Sequence, residues 1–354
     1  MWILLDKFIV LIYYRFVPTI NDVAMECGVS ISTVSTVLNN ACRPVSATTR
    51  QRVLAAATRL NYHPNAMASG LVRRRMNTIG VLPGVFHATE VLTDIWAFGI
   101  LQGILQSAAE KDFHVTLFTK FWQDSSHSLG AYRDRRTDGI IVIAPSLNSD
   151  MLSVLSTLDL LLVTVSAAPQ PGIASVDVDN RLGTRLAVEH LLGLGHSRIA
   201  HITGDTDQMS VVERRTAFHE IMTERGLGSN GQLVVPANYD GSNVKAATRY
   251  LLSLLIPPTA IFAGNDAIGK RVVDAIVSLG LSVPGDISVV GFDDSIYAST
   301  MTPQLTTVRQ SPSKLGALAA SLLIDSINGV DKSAQRHLLT PELIVRNTTT
   351  LAAM

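Results

Sequence analysis

Ile31, Ser32, Ser35 and Thr36 recur at spacings that gather them on one side of a short helix. A helix side made of an apolar group and hydroxyls can contact base edges in a DNA groove. Val34, Val37 and Leu38 of the same stretch point the other way and form a buried stripe. Ser30 stands where it can cap this helix, and Thr33 and Asn39 lie at its two ends. Upstream, Thr19 to Cys27 reads as a first helix: Thr19 at the N-cap, Asp22 three residues on as in a capping box, and Ile20, Val23 and Ala24 turned inward. Gly28 falls where that helix must stop, in the left-handed conformation that glycine accepts most easily. Ser46 opens a third helix through Thr49, with Val53, Ala57 and Leu60 as its inner stripe, closing a compact three-helix unit by about Tyr62. Two helices joined by a glycine turn, the second with a small polar outer face, form the outline of a helix-turn-helix. The expected partner is therefore double-stranded DNA.

The charge distribution agrees. From Thr19 to Arg75 the acidic residues Asp22 and Glu26 face Arg43, Arg50, Arg52, Arg59, Arg73, Arg74 and Arg75, inside a chain of formal net charge +0. A basic segment of this kind neutralises phosphates, the sequence-independent part of DNA affinity. At 354 residues, 47% hydrophobic and 16% charged, the chain has room for more than one globular domain. Cys27 and Cys42 flank the second helix without histidines at metal-ligand spacing, so reduced thiols and no metal are expected. Residues 1–18 are apolar, yet they carry Asp6, Lys7 and Arg15 and stop at Pro18, with a capped helix directly after. That pattern fits neither a membrane span nor a signal peptide. The expectation is a leader outside the fold.

Beyond Thr78, short apolar runs (TIGVL, HVTLF, GIIVI, LLLVTV, RIAHIT, LVV, TAIFAG, ISVVGF) alternate with helical stretches, the pattern of parallel sheets built from βαβ units. So much chain exceeds one comfortable sheet, and a natural break lies near Asp179. A nucleotide-dependent enzyme would need a glycine-rich phosphate loop after the first strand, and IGVLPGVF is not one. Asp293 and Asp294 are adjacent carboxylates without a third metal ligand, and no nucleophile is paired with a base. No catalytic residue and no cofactor is expected.

TINDVAMECGVSISTVSTVLNN followed by VSATTRQRVLAAATRLNYHPNAMASGL resembles the N-terminal domain of the lac repressor (LacI/GalR) family of bacterial transcription regulators. The likeness continues through TDGIIVIAPS, LAVEHLLGLGHSRIAHITG, FAGNDAIGKRVVDAI and VPGDISVVGFDDSIYASTMTPQLTTVRQ, nearly to Asn347. It implies an all-α helix-turn-helix domain (19–63), a hinge (64–77) and an α/β periplasmic-binding-protein-like domain (78–354) of two doubly wound parallel-sheet subdomains. Their expected extents are about 78–178 plus 309–337, and about 179–306 plus 338–350. The implied function is a cytoplasmic repressor, a homodimer on a pseudo-palindromic operator, controlled by a small-molecule effector such as a sugar; an extracytoplasmic sugar-binding protein would explain only the second domain. Implied DNA contacts are Thr19, Ser30, Ile31, Ser32, Thr33, Ser35, Thr36, Asn39, Ser46, Thr49, Asn65 and Leu71, the last a minor-groove wedge. Implied effector contacts are Asp94, Trp96, Thr164, Arg214, Tyr239, Asn265 and Asp293.

Departures from the family pattern carry information. Relatives commonly place Arg at the position of Thr36, where threonine offers one hydroxyl and a methyl suited to thymine. Thr36→Arg is accordingly expected to move preference toward guanine at one symmetric operator position, as read by selection from random DNA. Thr164 stands where Asp is common, and Ser69 and Val72 replace residues usually basic or polar in the hinge. No leucine heptads follow Asn347, so no tetramerisation helix is expected.

Overall fold

The structure is a computed structural model and describes residues 18–39, 43–64, 70, 75–84, 90–120, 122, 124–132, 134–228, 231–238, 241–330 and 334–353. The chain divides into two compact units, Met1–Met76 and Asn77–Met354.

The first unit contains α1 (Ile20–Cys27), α2 (Ile31–Leu38) and α3 (Ala47–Arg59). Asp22 accepts hydrogen bonds from the Thr19 backbone N–H and hydroxyl, each at 2.7 Å, and these bonds hold its carboxyl below the usual carboxylate range. Ser30 and Ser46 accept the N–H of Thr33 and Thr49, satisfying donors that the first turns of α2 and α3 leave open. Gly28 ends α1 at φ 59°, and the next N–H, of Val29, closes on the Ala24 carbonyl at 3.1 Å. Val23, Ala24, Cys27, Val34, Val37, Val53, Ala56 and Ala57 form the core.

The second unit holds two six-stranded sheets. Its elements run β1 (Thr78–Pro83), α4 (Ile95–Glu110), β2 (His114–Leu117), β3 (Gly139–Ile143), β4 (Leu161–Val165), β5 (Ala174–Val178), α5 (Asn180–Gly193), β6 (Ile199–Ile202), α6 (Met209–Glu224), β7 (Val234–Val235), α7 (Val244–Leu252), β8 (Ala260–Ala263), α8 (Asp266–Ser278), β9 (Ser288–Asp293), β10 (Thr306–Arg309), α9 (Pro312–Ile327), β11 (Arg336–Leu339) and β12 (Glu342–Ile344). The first sheet has the order β11-β5-β4-β3-β1-β2 and is parallel throughout; the second has the order β12-β10-β9-β8-β6-β7 and is parallel except for β12 against β10. Fully buried strands such as β3, all of whose residues are buried, explain the unbroken apolar runs.

The chain passes between the subdomains after β5, after β10 and after β11. β10 keeps Thr306–Arg309 in the second sheet and β11 keeps Arg336–Leu339 in the first, so the last two passages fall a few residues later than the sequence suggested. The helices of the first subdomain meet most closely at glycines: a Cβ on Gly103 or Gly316 would fall inside contact distance of the Ser313 or Ile100 carbonyl oxygen.

Buried His201 is expected to lower stability in acid. His201 on β6 is 1% exposed, lies over the Phe262 ring (centroids 4.6 Å apart) and donates from Nδ1 to the Phe262 carbonyl at 2.9 Å, while Nε2 has no partner. Burial pushes it down to about 4. A histidine kept neutral contributes its full stability above its unfolded value near 6.5 and loses it as pH falls toward 4, because the unfolded chain takes up the proton first. The window is worth about 3 kcal/mol. His201→Gln is therefore expected to flatten the decline in urea-unfolding free energy between pH 6.5 and 4 relative to wild type; identical slopes would remove His201 as the cause.

Candidate functional site

On α2, Ile31 is 48% exposed and Ser32 is exposed beside it, with Thr33, Ser35 and Asn39 half-buried. The Asn39 amide donates to the Ser35 hydroxyl at 3.1 Å, so that hydroxyl is already engaged. Thr19, Ser30 and Ser46 are exposed and Thr49 is half-buried. Thr36 departs from the expected outer face: it is 7% exposed. Helical spacing gives the direction in which a side chain leaves its helix, not what lies over it, and the open part of this face is Ile31 and Ser32. The basic flank is also smaller than a count of arginines implies. Arg59 grips Glu26 through Nε and Nη2 at 2.8 and 2.6 Å, tying α3 to α1, and Arg50 reaches the Val37 carbonyl at the end of α2. Asn65, Leu71, Arg73, Arg74, Cys42 and Tyr239 lie outside the described residues.

In the second unit, a cavity of about 70 Å³ opens at the carboxyl ends of both sheets, where open α/β sheets take their ligands. The first subdomain supplies Asp94, which caps α4 by accepting the Ala97 N–H at 2.8 Å, and Trp96 in the first turn of that helix. It also supplies Ser166 just after β4 and Asp177 on β5. From the second come Gln208, Ser210 and Arg214 at the start of α6, Asn265 after β8 and Asp293 at the end of β9. Gln310, on the passage after β10, joins the two: it accepts from Trp96 Nε1 at 3.2 Å and donates to Asp293 at 2.6 Å.

Arg214 is 5% exposed and firmly held. Its Nε donates to Asn180 at 2.9 Å, Nη1 donates to the Gly264 carbonyl at 2.6 Å, and the guanidinium lies 3.5 Å from the Phe292 ring centroid. Asn180 in turn donates to Glu213 at 2.9 Å, and Arg336 of the first sheet donates to Glu213 at 2.7 Å. Asn265 uses its side-chain oxygen to cap α8 through the Ile268 N–H at 2.8 Å. Asp293 has φ 127°, a conformation that favours glycine and is retained where the surroundings enforce it. Burial raises its carboxyl; beneath it burial, reinforced by the Asp293 charge, raises Asp266, whose oxygens accept from Thr307 and the Ser295 N–H.

The structure thus brings Asp94, Trp96, Arg214, Asn265 and Asp293 to one cavity. Thr164 is not part of its wall. It is 1% exposed inside β4, and Ser166, two residues on and past the strand end, lines the cavity instead. Ser166, Asp177, Gln208, Ser210 and Gln310 were not singled out from sequence. For Ser166 and Asp177 the available signal was a polar residue at the end of an apolar strand.

Two family models match the chain: bacterial regulatory proteins of the lacI family over residues 19–65, and the periplasmic binding protein-like domain over 188–349. The ribose operon repressor of Escherichia coli (strain K12) is 33% identical over 332 residues, covering 93% of this chain and 98% of the relative. The chain belongs to the LacI family. This family member is also 31% identical to the HTH-type transcriptional repressor PurR of Photobacterium profundum, over 93% of this chain and 97% of that one. Among solved structures it is similar to the lac repressor dimer bound to operator and the anti-inducer ONPF (TM-score 0.80, 29% identity, 94% and 99% of the two chains). It is likewise similar to a CelR–cellobiose complex (TM-score 0.71, 30% identity, 94% and 99%). A LacI-family chain is a DNA-binding transcriptional regulator rather than an enzyme, and the transport reading cannot account for the match over 19–65. Among the described residues no helix is long and apolar enough to cross a membrane.

Proposed function

We propose that this regulator is a cytoplasmic repressor that binds a pseudo-palindromic operator as a homodimer and responds to a small polyol held in the cavity between its two sheets. The observation that carries the effector reading is the cavity wall: carboxylates, one clamped arginine, a capping asparagine and an indole converge at the strand ends of both subdomains. Polyol hydroxyls pair with such acceptors and donors, and a flat indole covers a sugar face. Relatives named for ribose repression and a cellobiose complex support the same class. Ile31 and Ser32 are the proposed base readers, with Thr19, Ser30, Thr33, Ser46 and Thr49 toward phosphates and Leu71 as the groove wedge. Mobility shift with the DNA upstream of its own gene, with and without pentoses and hexoses, tests this. Absence of binding to that DNA in every condition sinks it.

A second copy is the proposed cover for the apolar side of α4. Ile95, Phe98 and Leu105 are 38%, 48% and 49% exposed there, with Leu92 just before them at 56%, and a row of exposed apolar side chains of this kind fits a contact surface. Each recognition helix spans one half-site, so operator binding depends on pairing. Phe98→Asp with Leu105→Asp is expected to weaken dimerisation about 100-fold or more, a loss of roughly 3 kcal/mol. Sedimentation should show monomers at micromolar concentration, and operator affinity should fall with them.

A further inference from the structure

We infer that the effector carries a protonated amine on its polyol frame, seated against Asp177 with Asp94, Asp293 and the Trp96 ring around it; this rests on the reading of the cavity as the effector site. Three carboxylates line that cavity, those of Asp94, Asp177 and Asp293, against one basic side chain, Arg214. The arginine is committed to Asn180, Gly264 and the Phe292 face. Asp177 is 2% exposed; its Oδ1 accepts the Val178 N–H at 2.8 Å, while Oδ2 has no hydrogen-bond partner among the described residues. Arg336 does not fill that place: its Nη2 stops 3.7 Å away, turned toward Glu213 at 2.7 Å. A buried acceptor without a donor is costly, and an ammonium supplies both donors and the missing charge.

The wider surroundings point the same way. Glu213 and Asp266 stand behind the wall, so the carboxylates Asp94, Asp177, Glu213, Asp266 and Asp293 outnumber the guanidiniums of Arg214 and Arg336. A neutral polyol supplies donors but leaves that excess in place, and a phosphate or carboxylate ligand adds to it. Trp96 is fixed by its bond to Gln310 and offers the ring type that best attracts a cation. Burial raises Asp94 and Asp293, the latter further through the charge of Asp94, and raises Asp177 to about 7 with Glu213 adding to the effect. Without a cation part of the excess is carried as bound protons. An ammonium displaces those protons, so amine affinity rises from pH 5.5 to 7.5.

The test uses the full chain and three matched pairs, D-glucosamine with D-glucose, D-galactosamine with D-galactose and D-mannosamine with D-mannose, plus D-glucose 6-phosphate. Titration calorimetry at pH 7 in HEPES and in phosphate reads affinity and proton release. At least one amine should bind about tenfold or more tighter than its neutral partner, with protons released. Asp177→Asn should erase that preference, the amine then binding no tighter than its neutral partner whatever the variant's overall affinity; if the variant does not fold, the wild-type pairs decide. Equal binding within every pair, or tighter binding of the phosphate, overturns the amine and leaves the polyol reading standing. If no probe binds, the amine on a hexose frame is overturned, and the polyol reading is then decided by the pentose and hexose mobility shifts.

Discussion

Replacing Arg214 with methionine is expected to lower the urea-unfolding free energy of the Asn77–Met354 unit by about 3–5 kcal/mol, the scale for removing one partner from a buried charged network. Asn180 and the Gly264 carbonyl would lose their donors, Phe292 would lose its cation, and Asp177 and Asp293 would lose a guanidinium that now lowers both carboxyls. The sign of the pH dependence follows. With that guanidinium gone the two carboxyls rise further, and a group whose folded value is raised above its unfolded one near 3.8 stabilises below that value and loses its advantage as pH climbs. The deficit of the variant should therefore be largest above pH 7 and shrink on acidification. Arg214→Lys should recover only part of the loss, since an ammonium cannot make both bonds and stack on a ring. A deficit below about 1 kcal/mol for methionine would mean that the network contributes little to stability.

A comparable effect is expected at the other end of the chain. Ile31→Ala and Ser32→Ala should each reduce affinity for the selected operator about tenfold or more, in line with 1–3 kcal/mol for each lost base contact. Affinity for unrelated DNA, which depends on phosphate contacts, should stay the same. Both side chains are exposed and pack against nothing in the three-helix core, so folding should not obscure the result. Titrating operator and non-operator duplexes at one salt concentration provides the check. Equal losses on both would show that these residues position the helix without reading bases.

Much of this was legible in the sequence where one requirement acts on one residue. Gly28, Ser30 and Ser46 announce turns and caps because those backbone positions accept few alternatives, and the apolar runs of β1, β3, β8 and β9 announce themselves because both faces of a covered parallel sheet are buried. The strands that escaped notice are β5, β10, β11 and β12, with the sequences ASVDV, TTVR, RHLL and ELI. They are short, and polar side chains interrupt them. Some of these polar residues stand at or near the cavity: Asp177 lies within β5 and lines it, Gln310 directly follows β10 and lines it, and Arg336, which opens β11, pairs with Glu213. Thr36 and Thr164 misled for a different reason. Each had the angular position or strand location of a contact residue, and burial depends on chain far away in sequence.

Gln310 has a mechanical consequence. It sits on one of the connections between the two subdomains, and its amide is held by Trp96 on one side and Asp293 on the other. A guest molecule that competes for either bond pushes at the fulcrum, where the lever arm is shortest and displacement smallest. At that point force is exchanged for travel: were the two subdomains to turn about these connections, a sub-ångström change in the seat of one amide would become a larger swing at their far ends. Such a switch is controlled by where a ligand is seated more than by how large it is. Two molecules of equal size and similar affinity can then drive it in opposite directions.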